Sequence, residues 1–470
     1  MSVRISLDKL NEQQRKLIRE YLYLQPKNMN FMQNKFNQTS KDPILLFWVD
    51  KPNNQIILPY TFANSLFGYH VNTNIEYPLS KYNFLGKLRD YQVPIIDQAL
   101  SQLKEKGTTT LLLGTGAGKS IISACLGSHL EGIVLILVNR ETIQKGWVET
   151  FAKETDAKVW VIESRLKIPQ ECNVIITMDG KFEKIPWAIR KMVSVLVIDE
   201  SHMFCTATQV PVLLGTQPKY IIACTATLER PDDMHQMIYL IAGTHNVQYK
   251  SDKFFSVYRL FTGIETEIGV TKQGSSDWPK LVKDLAFNPI RNAFIIDLIE
   301  KNKDHKIMVL TWNADHVNFL TDLLKERGES VDKLVGNKSK YIDSRVLIGT
   351  LSKVSTGFDA KNVATDWDGA DIDMLILAGS TKSHNLHIQS VGRAFRASNP
   401  TIIDIVDDNR ISKSHWNARR KNYEQENCKI YYSEMKNGAG ELKDLAKQDN
   451  ITDIHLSKLA ELQDKYKDRV

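Results

Sequence analysis

The chain has 470 residues, 42% of them hydrophobic and 25% charged, an ordinary composition for a water-soluble protein of about two to four domains. Its formal net charge of +6 permits nucleic-acid binding but is too small to indicate it. The five dispersed cysteines form no C-x-x-C pair, so zinc-site spacing is absent; with no secretion signal and no apolar run of ~18 residues, we expect a cytoplasmic protein that does not enter a membrane.

The first part of the chain predicts a small accessory domain at 1–80. Residues 8–22 carry leucine and isoleucine at helical spacing. Two strand-like runs, ILLFWVD (44–50) and IILPY (56–60), flank a Pro-Asn turn, which is typical of a hairpin. The aromatic residues of 31–77 are compatible with a hydrophobic core and also with a platform on which flat rings stack.

From Thr108 onward, apolar runs of strand length alternate with helical stretches. Nearly continuous apolar strands separated by helices are typical of a parallel sheet covered on both faces. The rhythm is interrupted at 245–285 and then resumes, which predicts a second domain of the same kind. The sequence therefore predicts an α/β protein with two tandem parallel-sheet domains, divided into a first domain at 81–250, a linker at 251–287, a second domain at 288–435 and a charged helical tail at 436–470.

A glycine-rich segment, LLLGTGAGKS (111–120), lies where a predicted strand meets a predicted helix. Glycines lack Cβ atoms, so backbone N–H groups can wrap a chain of phosphates at the start of the helix. Lys119 would reach the β- and γ-phosphates, and Ser120 would ligate Mg²⁺. Leu113 stands where the strict P-loop pattern has glycine. The segment predicts an ATP site with Mg²⁺, and its nucleotide-binding residues would be Gly114, Thr115, Gly116, Ala117, Gly118, Lys119 and Ser120.

The run VLVIDESH (195–202) supplies the second half of that site. Its apolar β-formers place Asp199 and Glu200 at the carboxyl end of a strand, where ligands bind in parallel sheets. One carboxylate can hold the metal, and the next can orient and deprotonate the attacking water. We assign Asp199 to Mg²⁺ and Glu200 to the water.

Five segments occur in the order found in superfamily 2 helicases, and the chain resembles that superfamily over roughly 85–435. They are LRDYQ (88–92), DESH (199–202), CTATLERPDDM (224–234), GTLSKVSTGFDA (349–360) and QSVGRAFR (389–396). The last four resemble motifs II, III, V and VI. The resemblance implies two RecA-like domains with ATP bound between them.

The resemblance also implies roles for single residues. Gln92 would read the adenine ring, and Gly357 and Asp359 of motif V would contact the nucleotide. Motif VI would place Gln389, Arg393 and Arg396 at the γ-phosphate, where arginines stabilise transition-state charge. The residues that couple hydrolysis to domain movement would be His202, Thr225 and Thr227.

Within the superfamily, the motifs are most similar to the XPB-like group, which includes helicases of large DNA viruses and of phages that remodel branched DNA. DEAD-box RNA helicases are less similar because they carry D-E-A-D where this chain has D-E-S-H. Two departures concern contacts with DNA: Gly146 precedes Trp147 where relatives tend to have glutamine, and Asp233 replaces a usual glycine in motif III.

By the same resemblance, the nucleic-acid path would be lined by Asn139, Arg140, Thr177 and Thr350. The segment RISKSHWNARRK (410–421) is basic and contains Trp416. It could hold phosphates and stack a base, or it could be a solvated helix. The accessory domain at 1–80 is a further candidate for DNA recognition.

The sequence favours an ATP-dependent DNA helicase or translocase. Nothing in the sequence fixes the oligomeric state, and we expect a monomer. Two alternatives remain open. The first is a duplex translocase or RNA-directed motor that separates no strands. The second is a non-catalytic nucleic-acid scaffold, against which the presence of Lys119, Asp199, Glu200 and Arg396 weighs.

Overall fold

The chain forms two compact units, Met1–Tyr249 and Lys250–Val470, in a computed structural model. The structure describes residues 2–27, 42–68, 75–114, 116–163, 165, 168–230, 232–250, 253–271, 274–336, 338, 340–355, 363–392, 397, 399–436 and 439–441. Within these residues, no helix is long and apolar enough to cross a membrane.

The first unit begins with a strand-rich segment and continues with alternating strands and helices. Its elements are β1 (Ser2–Ser6), α1 (Glu12–Tyr21), β2 (Tyr23–Leu24), β3 (Ile44–Leu45), β4 (Trp48–Asp50), β5 (Gln55–Pro59), α2 (Tyr60–Phe67), α3 (Gln92–Lys106), β6 (Thr108–Leu113), α4 (Lys119–His129), β7 (Ile133–Val138), α5 (Glu141–Glu154), β8 (Val159–Val161), β9 (Val174–Met178), α6 (Trp187–Arg190), β10 (Val193–Ile198), α7 (Val210–Leu214), β11 (Tyr220–Thr225), α8 (Gln236–Ala242) and β12 (Val247–Tyr249).

Seven of these strands form a parallel sheet in the order β12-β6-β11-β10-β7-β9-β8. Every residue of β7 and of β10 is buried, as expected for central strands covered on both faces. Along β7, Val134 and Ile136 belong to the core under α3, α4 and α5, whereas Leu135 and Leu137 belong to the core on the opposite face. The carboxyl ends of β6, β7, β10 and β11 therefore share one edge, which positions the site described below.

The small N-terminal strand-rich region covers that opposite face. The predicted hairpin is confirmed, since β4 pairs antiparallel with β5, and β1 pairs with β5 on its other side. Leu22, Leu46 and Leu58 are fully buried in the same core cluster as Leu135 of the central sheet. The hydroxyl of Ser2 also donates to the carbonyl of Leu214 at 2.9 Å. The region is thus a layer of the first unit with a shared core.

The second unit repeats the strand–helix alternation. Its elements are β13 (Phe255–Glu265), α9 (Trp278–Ala286), α10 (Pro289–Lys301), β14 (Ile307–Thr311), α11 (Ala314–Glu326), β15 (Val331–Leu334), β16 (Tyr341–Ile342), β17 (Val346–Thr350), α12 (Leu351–Ser355), β18 (Ala364–Thr365), β19 (Met374–Leu377), α13 (His384–Val391), β20 (Thr401–Asp408), α14 (Arg410–Tyr423), β21 (Cys428–Lys436) and β22 (Ala439–Glu441).

The second sheet has the order β15-β17-β14-β19-β20-β13-β21-β22, parallel except for β22. Its strand β13 corrects one expectation, because Phe255–Glu265 lies between β20 and β21 instead of in a linker. Polar residues interrupt the buried Phe255, Val257 and Leu260 of this strand, so it lacks the continuous apolar run of its neighbours. Most of the predicted tail at 436–470 lies outside the described residues.

Candidate active site

The glycine-rich segment connects β6 to α4 as predicted. Gly116 and Gly118 have φ of 80° and 84°, in the left-handed region that favours glycine, and Gly118 is the residue before the first turn of α4. A Cβ added at Gly114 or Gly116 would meet nothing within 4 Å, so the loop borders open space. Thr115 lies outside the described residues. Backbone N–H groups at the start of a helix beside open space suit a phosphate chain.

Gln92 packs directly against this loop. Its side chain is buried; Nε2 donates to the carbonyl of Ala117 at 3.2 Å, and Oε1 accepts from the backbone N–H of Arg89 at 2.9 Å. A Cβ on Gly118 would lie 2.3 Å from Nε2 of Gln92, so glycine is required there for this approach. The glutamine therefore supports the loop, and its contact with adenine stays a prediction.

Lys119 and Ser120 lie in the first turn of α4, half-buried. The Nζ of Lys119 donates to the carbonyl of Leu113 at 3.0 Å, which folds the side chain back over the loop. Its positive charge also lowers the pKa of Asp199. The lysine and the carboxylate are thus close enough to interact electrostatically, and their joint role in binding ATP and Mg²⁺ stays a prediction.

Asp199 follows β10 directly and is buried. Its Oδ1 accepts from the backbone N–H of Glu200 at 2.9 Å, and its Oδ2 accepts from the indole N–H of Trp147 at 2.8 Å. Burial and the neighbouring charge of Glu200 raise the pKa of Asp199 to about 6, against the lowering effects of Lys119 and the two hydrogen bonds. A carboxylate held in this way keeps a lone pair on each oxygen for a further ligand.

Glu200 adopts φ of 48°, a left-handed conformation that is uncommon for a residue with a side chain. Such strain costs on the order of 1–2 kcal/mol and is concentrated at functional sites. Within the described part of the chain, its buried Oε2 has no hydrogen-bond partner, although the Nδ1 of His202 approaches to 3.5 Å. An open carboxylate acceptor beside Asp199 is the arrangement that a water-orienting base requires.

Motifs II and III are joined by a hydrogen-bond chain. The hydroxyl of Thr225 donates to the carbonyl of Thr227 at 2.6 Å, so its contact of 2.9 Å with His202 Nδ1 requires the imidazole to be the donor. Burial, Arg230 and Lys119 lower the pKa of His202 to about 4, which keeps the ring neutral. Arg230 in turn donates to the carbonyl of His202 at 2.6 Å. The predicted coupling residues are therefore in contact in this unit.

The residues expected along the nucleic-acid path have different environments. Arg140 is exposed, and Asn139 has a buried Oδ1 without a hydrogen-bond partner among the described residues. Thr177 lies in β9 with no exposed surface, and its hydroxyl donates to the carbonyl of Met178. Thr350, at the end of β17, is also buried. Both threonines are buried in this structure, and their contacts with nucleic acid stay predictions.

The motif V and VI assignments fall largely outside the described residues. Gly357, Asp359, Arg393 and Arg396 lie beyond them, and of Gln389 only the backbone, within α13, is described. Their roles remain predictions.

The basic segment 410–421 forms most of α14, and the idea that Trp416 stacks a base is wrong. Trp416 is buried in the core of the second unit, and Arg419 pairs with the buried carboxylate of Asp404 through Nη2 at 2.6 Å. The segment is amphipathic: one face packs on the sheet, while Lys413 and Lys421 remain exposed.

Trp147 is a residue whose part in the site the sequence did not reveal. The pattern marked it only as the neighbour of an unusual glycine. A tryptophan in the polar helix α5 indicates a buried face, but the sequence alone does not show that its indole N–H reaches Asp199.

The oxygen ligands and the N–H groups of this site fit Mg²⁺ and the phosphates of ATP. Mg²⁺ takes oxygen ligands and is commonly held by one or two protein oxygens together with phosphates, which Asp199 and Ser120 can provide. The phosphates themselves would face the N–H groups of 114–118 and the ammonium of Lys119.

Comparisons with known proteins show what the chain is similar to. Residues 85–230 match the family described as type III restriction enzyme, res subunit. The protein designated helicase 161L of Invertebrate iridescent virus 6 is 26% identical over 414 residues, covering 80% of this chain and 91% of that protein. Helicase 109L of Invertebrate iridescent virus 3 is 30% identical over 220 residues, covering 44% and 67%. ATP-dependent RNA helicase L396 of Acanthamoeba polyphaga mimivirus is 24% identical over 385 residues, covering 77% and 72%.

A solved structure supports the fold. The fragment designated an HsdR subunit of a type I restriction enzyme from Vibrio vulnificus has a TM-score of 0.54 at 15% identity, covering 77% of this chain and 71% of that one. Together with the two parallel sheets, this likeness confirms the predicted tandem RecA-like domains.

Proposed function

The chain belongs to the superfamily 2 helicases, and we propose that it is an ATP-driven motor that moves along or remodels DNA, including branched DNA. Membership of the superfamily makes it a nucleic-acid-dependent helicase or translocase that uses ATP. The choice of DNA and the preference for branched substrates are the proposal. The ATP-driven part of the proposal rests on the cluster of Lys119, Asp199 and Glu200 at one sheet edge, joined to motif III through His202.

In this proposal each residue of the cluster has one task. The N–H groups of the loop and Lys119 bind the triphosphate, while Asp199 and Ser120 hold Mg²⁺, which neutralises charge on the phosphates when bound. Glu200 orients the attacking water at its open carboxylate oxygen and accepts its proton. His202 changes its hydrogen bond to Thr225 as charge at the site changes, which carries the state of the nucleotide to motif III.

The second unit contributes through motif VI. By the resemblance, Arg393 and Arg396 place positive charge against the phosphoryl group as it is transferred. Gln389, which lies in α13, would act beside them. Gly357 and Asp359 of motif V add nucleotide contacts in this scheme.

DNA is favoured over RNA because the motif set is most similar to the XPB-like group and because two relatives come from iridescent viruses and are designated helicases without the word RNA. The mimivirus relative is designated an RNA helicase, which keeps an RNA-directed motor as the second candidate. A non-catalytic scaffold is disfavoured because Lys119, Asp199 and Glu200 are all in place.

We also propose that the N-terminal layer recognises DNA through a cationic surface. The guanidinium of Arg4 lies 4.5 Å from the ring centroid of Trp187, and Arg190 and Lys191 approach the same ring at 5.6 and 5.5 Å. Arg4 is paired with Asp50, but the buried Nε atoms of Arg4 and Arg190 have no hydrogen-bond partner among the described residues. Clustered cations attract phosphates.

Exposed aromatic surface lies beside these cations. Trp48 and Arg4 both stand opposite Ile57 in the small sheet, which puts them on one face, and Trp48 is 56% exposed. An exposed indole can stack on an unpaired base, as occurs at a DNA branch. We name the four residues Arg4, Trp187, Arg190 and Lys191 the basic cluster.

One set of assays separates the candidates. The full chain is given single-stranded, duplex, forked and four-way DNA and the matching RNAs, and ATP turnover and strand release are followed together. The proposal predicts the largest stimulation with DNA and release of a strand from forks. Displacement of a triplex strand without fork opening would favour a duplex translocase, and stimulation by RNA alone would favour the RNA-directed motor.

A further inference from the structure

Trp147 has a specific partner in the active site. It lies in the middle of α5 with its side chain almost fully buried, stacked on Phe151 at a centroid distance of 6.2 Å. Its Nε1–H donates to Oδ2 of Asp199 at 2.8 Å. The two residues are 52 positions apart in sequence and come from a helix and from the end of a central strand.

Each partner needs this bond. An indole N–H is a donor only, and leaving it buried without an acceptor costs about 1–3 kcal/mol. The carboxylate of Asp199 is buried too, and a carboxylate in that position is stabilised by each N–H that donates to it. The bond is therefore formed between two groups that have lost access to water.

The bond also fixes the orientation of the carboxylate. With one oxygen held by Trp147 and the other by the backbone N–H of Glu200, rotation about the bond to Cβ would break a hydrogen bond on either side. The remaining lone pairs are then held in one direction. A ligand that must keep near-ideal octahedral geometry, as Mg²⁺ does, is sensitive to this orientation.

We propose that Trp147 is a positioning residue that holds Asp199 in the orientation required to bind Mg²⁺ with the nucleotide. The inference rests on the proposed function, because it takes Asp199 as the residue that holds the metal. Hydrogen-bond partners of metal ligands commonly contribute about 10–100-fold to metal affinity. Trp147 acts through Asp199 and does not itself touch the nucleotide.

The test is Trp147→Phe, which keeps an aromatic ring in contact with Phe151 and removes only the donor and one ring. We expect the Mg²⁺ concentration for half-maximal binding of ADP·Mg²⁺, measured by calorimetry, to rise about 10–100-fold. Binding of ADP in the presence of a chelator should be unchanged. In turnover assays, the Mg²⁺ requirement should rise more than kcat falls.

The matched control is Phe151→Leu, on the same helix face. It weakens the packing of Trp147 but leaves the donor to Asp199 in place. We expect it to lower the melting temperature while the Mg²⁺ requirement stays within about twofold of wild type. An equal loss of Mg²⁺ affinity in both variants would overturn the proposal, since packing alone would then explain it. Wild-type Mg²⁺ affinity in a folded Trp147→Phe protein would overturn it as well.

A second measurement does not depend on a variant that folds well. In the wild-type chain with isotope-labelled tryptophan, the indole N–H resonance of Trp147 should shift when Mg²⁺ is added to the ADP complex, because its acceptor becomes a metal ligand. An unchanged resonance at saturating Mg²⁺ would contradict the proposal. If the wild type binds no nucleotide and hydrolyses no ATP, the proposed function fails. If the wild type is active and the Trp147→Phe variant keeps its Mg²⁺ affinity, only the role of Trp147 fails.

Discussion

At the scale of single residues, the active site is built from groups whose hydrogen-bonding capacity is only partly used. Asp199 keeps one lone pair on each oxygen, and Glu200 keeps a buried oxygen without a partner in the described part of the chain. Buried polar atoms are normally satisfied, so the open acceptor next to Asp199 supports the proposal that substrate groups bind there.

Glu200→Gln tests the assignment of the base. The amide keeps the size of the side chain and loses the capacity to accept a proton, so ATP binding should persist while turnover falls on the order of 10²–10⁴-fold. Nucleotide affinity and single-turnover hydrolysis are measured side by side. Unchanged hydrolysis would show that another residue orients the water.

The sequence predicted the parts of the site that are local. Lys119 and Ser120 follow a strand and open a helix, and Asp199 and Glu200 end an apolar run, so their positions follow from neighbouring residues. The contact between Trp147 and Asp199 could not be predicted, because it depends on how α5 packs on the sheet. The burial of Thr177 could not be predicted for the same reason, since tertiary packing determines which residues of a strand are covered.

At the scale of elements, the N-terminal layer is joined to the first sheet by a common core, so it cannot be removed as an independent module. We therefore expect deletion of residues 1–80 to destabilise the first unit and lower its ATPase activity, because removal would expose the sheet face that carries Leu135 and Leu137.

Leu58→Ala tests the shared core. Leu58 is fully buried in β5, and truncation of such a side chain costs about 2–5 kcal/mol, a large part of the stability of an ordinary domain. The melting temperature and ATPase activity should fall together. Val49→Ala on the neighbouring strand is the control; Val49 is 38% exposed, so its loss should change stability by less than about 0.5 kcal/mol. A wild-type melting temperature and wild-type ATPase activity in Leu58→Ala would show that the N-terminal layer does not stabilise the ATPase domain.

The basic cluster is tested by the triple variant R4Q/R190Q/K191Q. Each lost phosphate contact should reduce the slope of log affinity against log salt by about 0.7–0.9, so DNA binding should weaken and depend less on salt. Basal ATPase without nucleic acid should be unchanged. The control variant K81Q/K153Q/K158Q removes three exposed lysines, each already paired with a glutamate. An equal loss of DNA affinity in both variants would show that net charge alone explains the effect, and that the basic cluster is not a DNA-binding surface.

Elements differed in how well the sequence predicted them. The central strands β7 and β10 are continuous apolar runs, and their burial on both faces follows directly. Strand β13 was missed because Ser256, Tyr258 and Arg259 interrupt its buried residues, and only pairing with β20 and β21 makes it a strand. Helix α14 was ambiguous because its basic residues obscured the buried face that carries Trp416 and Arg419.

At the scale of the whole molecule, Arg396 is the residue that tests most sharply the proposal that both RecA-like units take part in ATP hydrolysis. If it stabilises charge on the transferred phosphoryl group, Arg396→Ala should lower kcat by about 10³–10⁵-fold with a smaller change in nucleotide affinity. DNA binding without nucleotide should survive. Lys382→Ala, an exposed cation of the same unit, serves as the control. A normal kcat in Arg396→Ala would show that this arginine does not stabilise the transition state of ATP hydrolysis.

The most direct test of the central claim is the rate of ATP hydrolysis by the full chain with and without DNA. We predict slow basal turnover that DNA stimulates, and no turnover above background in Lys119→Ala, which loses the proposed phosphate contact and no core packing. Circular dichroism should show that the variant is folded. If the wild-type chain hydrolyses no ATP under any nucleic acid, or if folded Lys119→Ala hydrolyses it at the wild-type rate, this protein is not the motor described above.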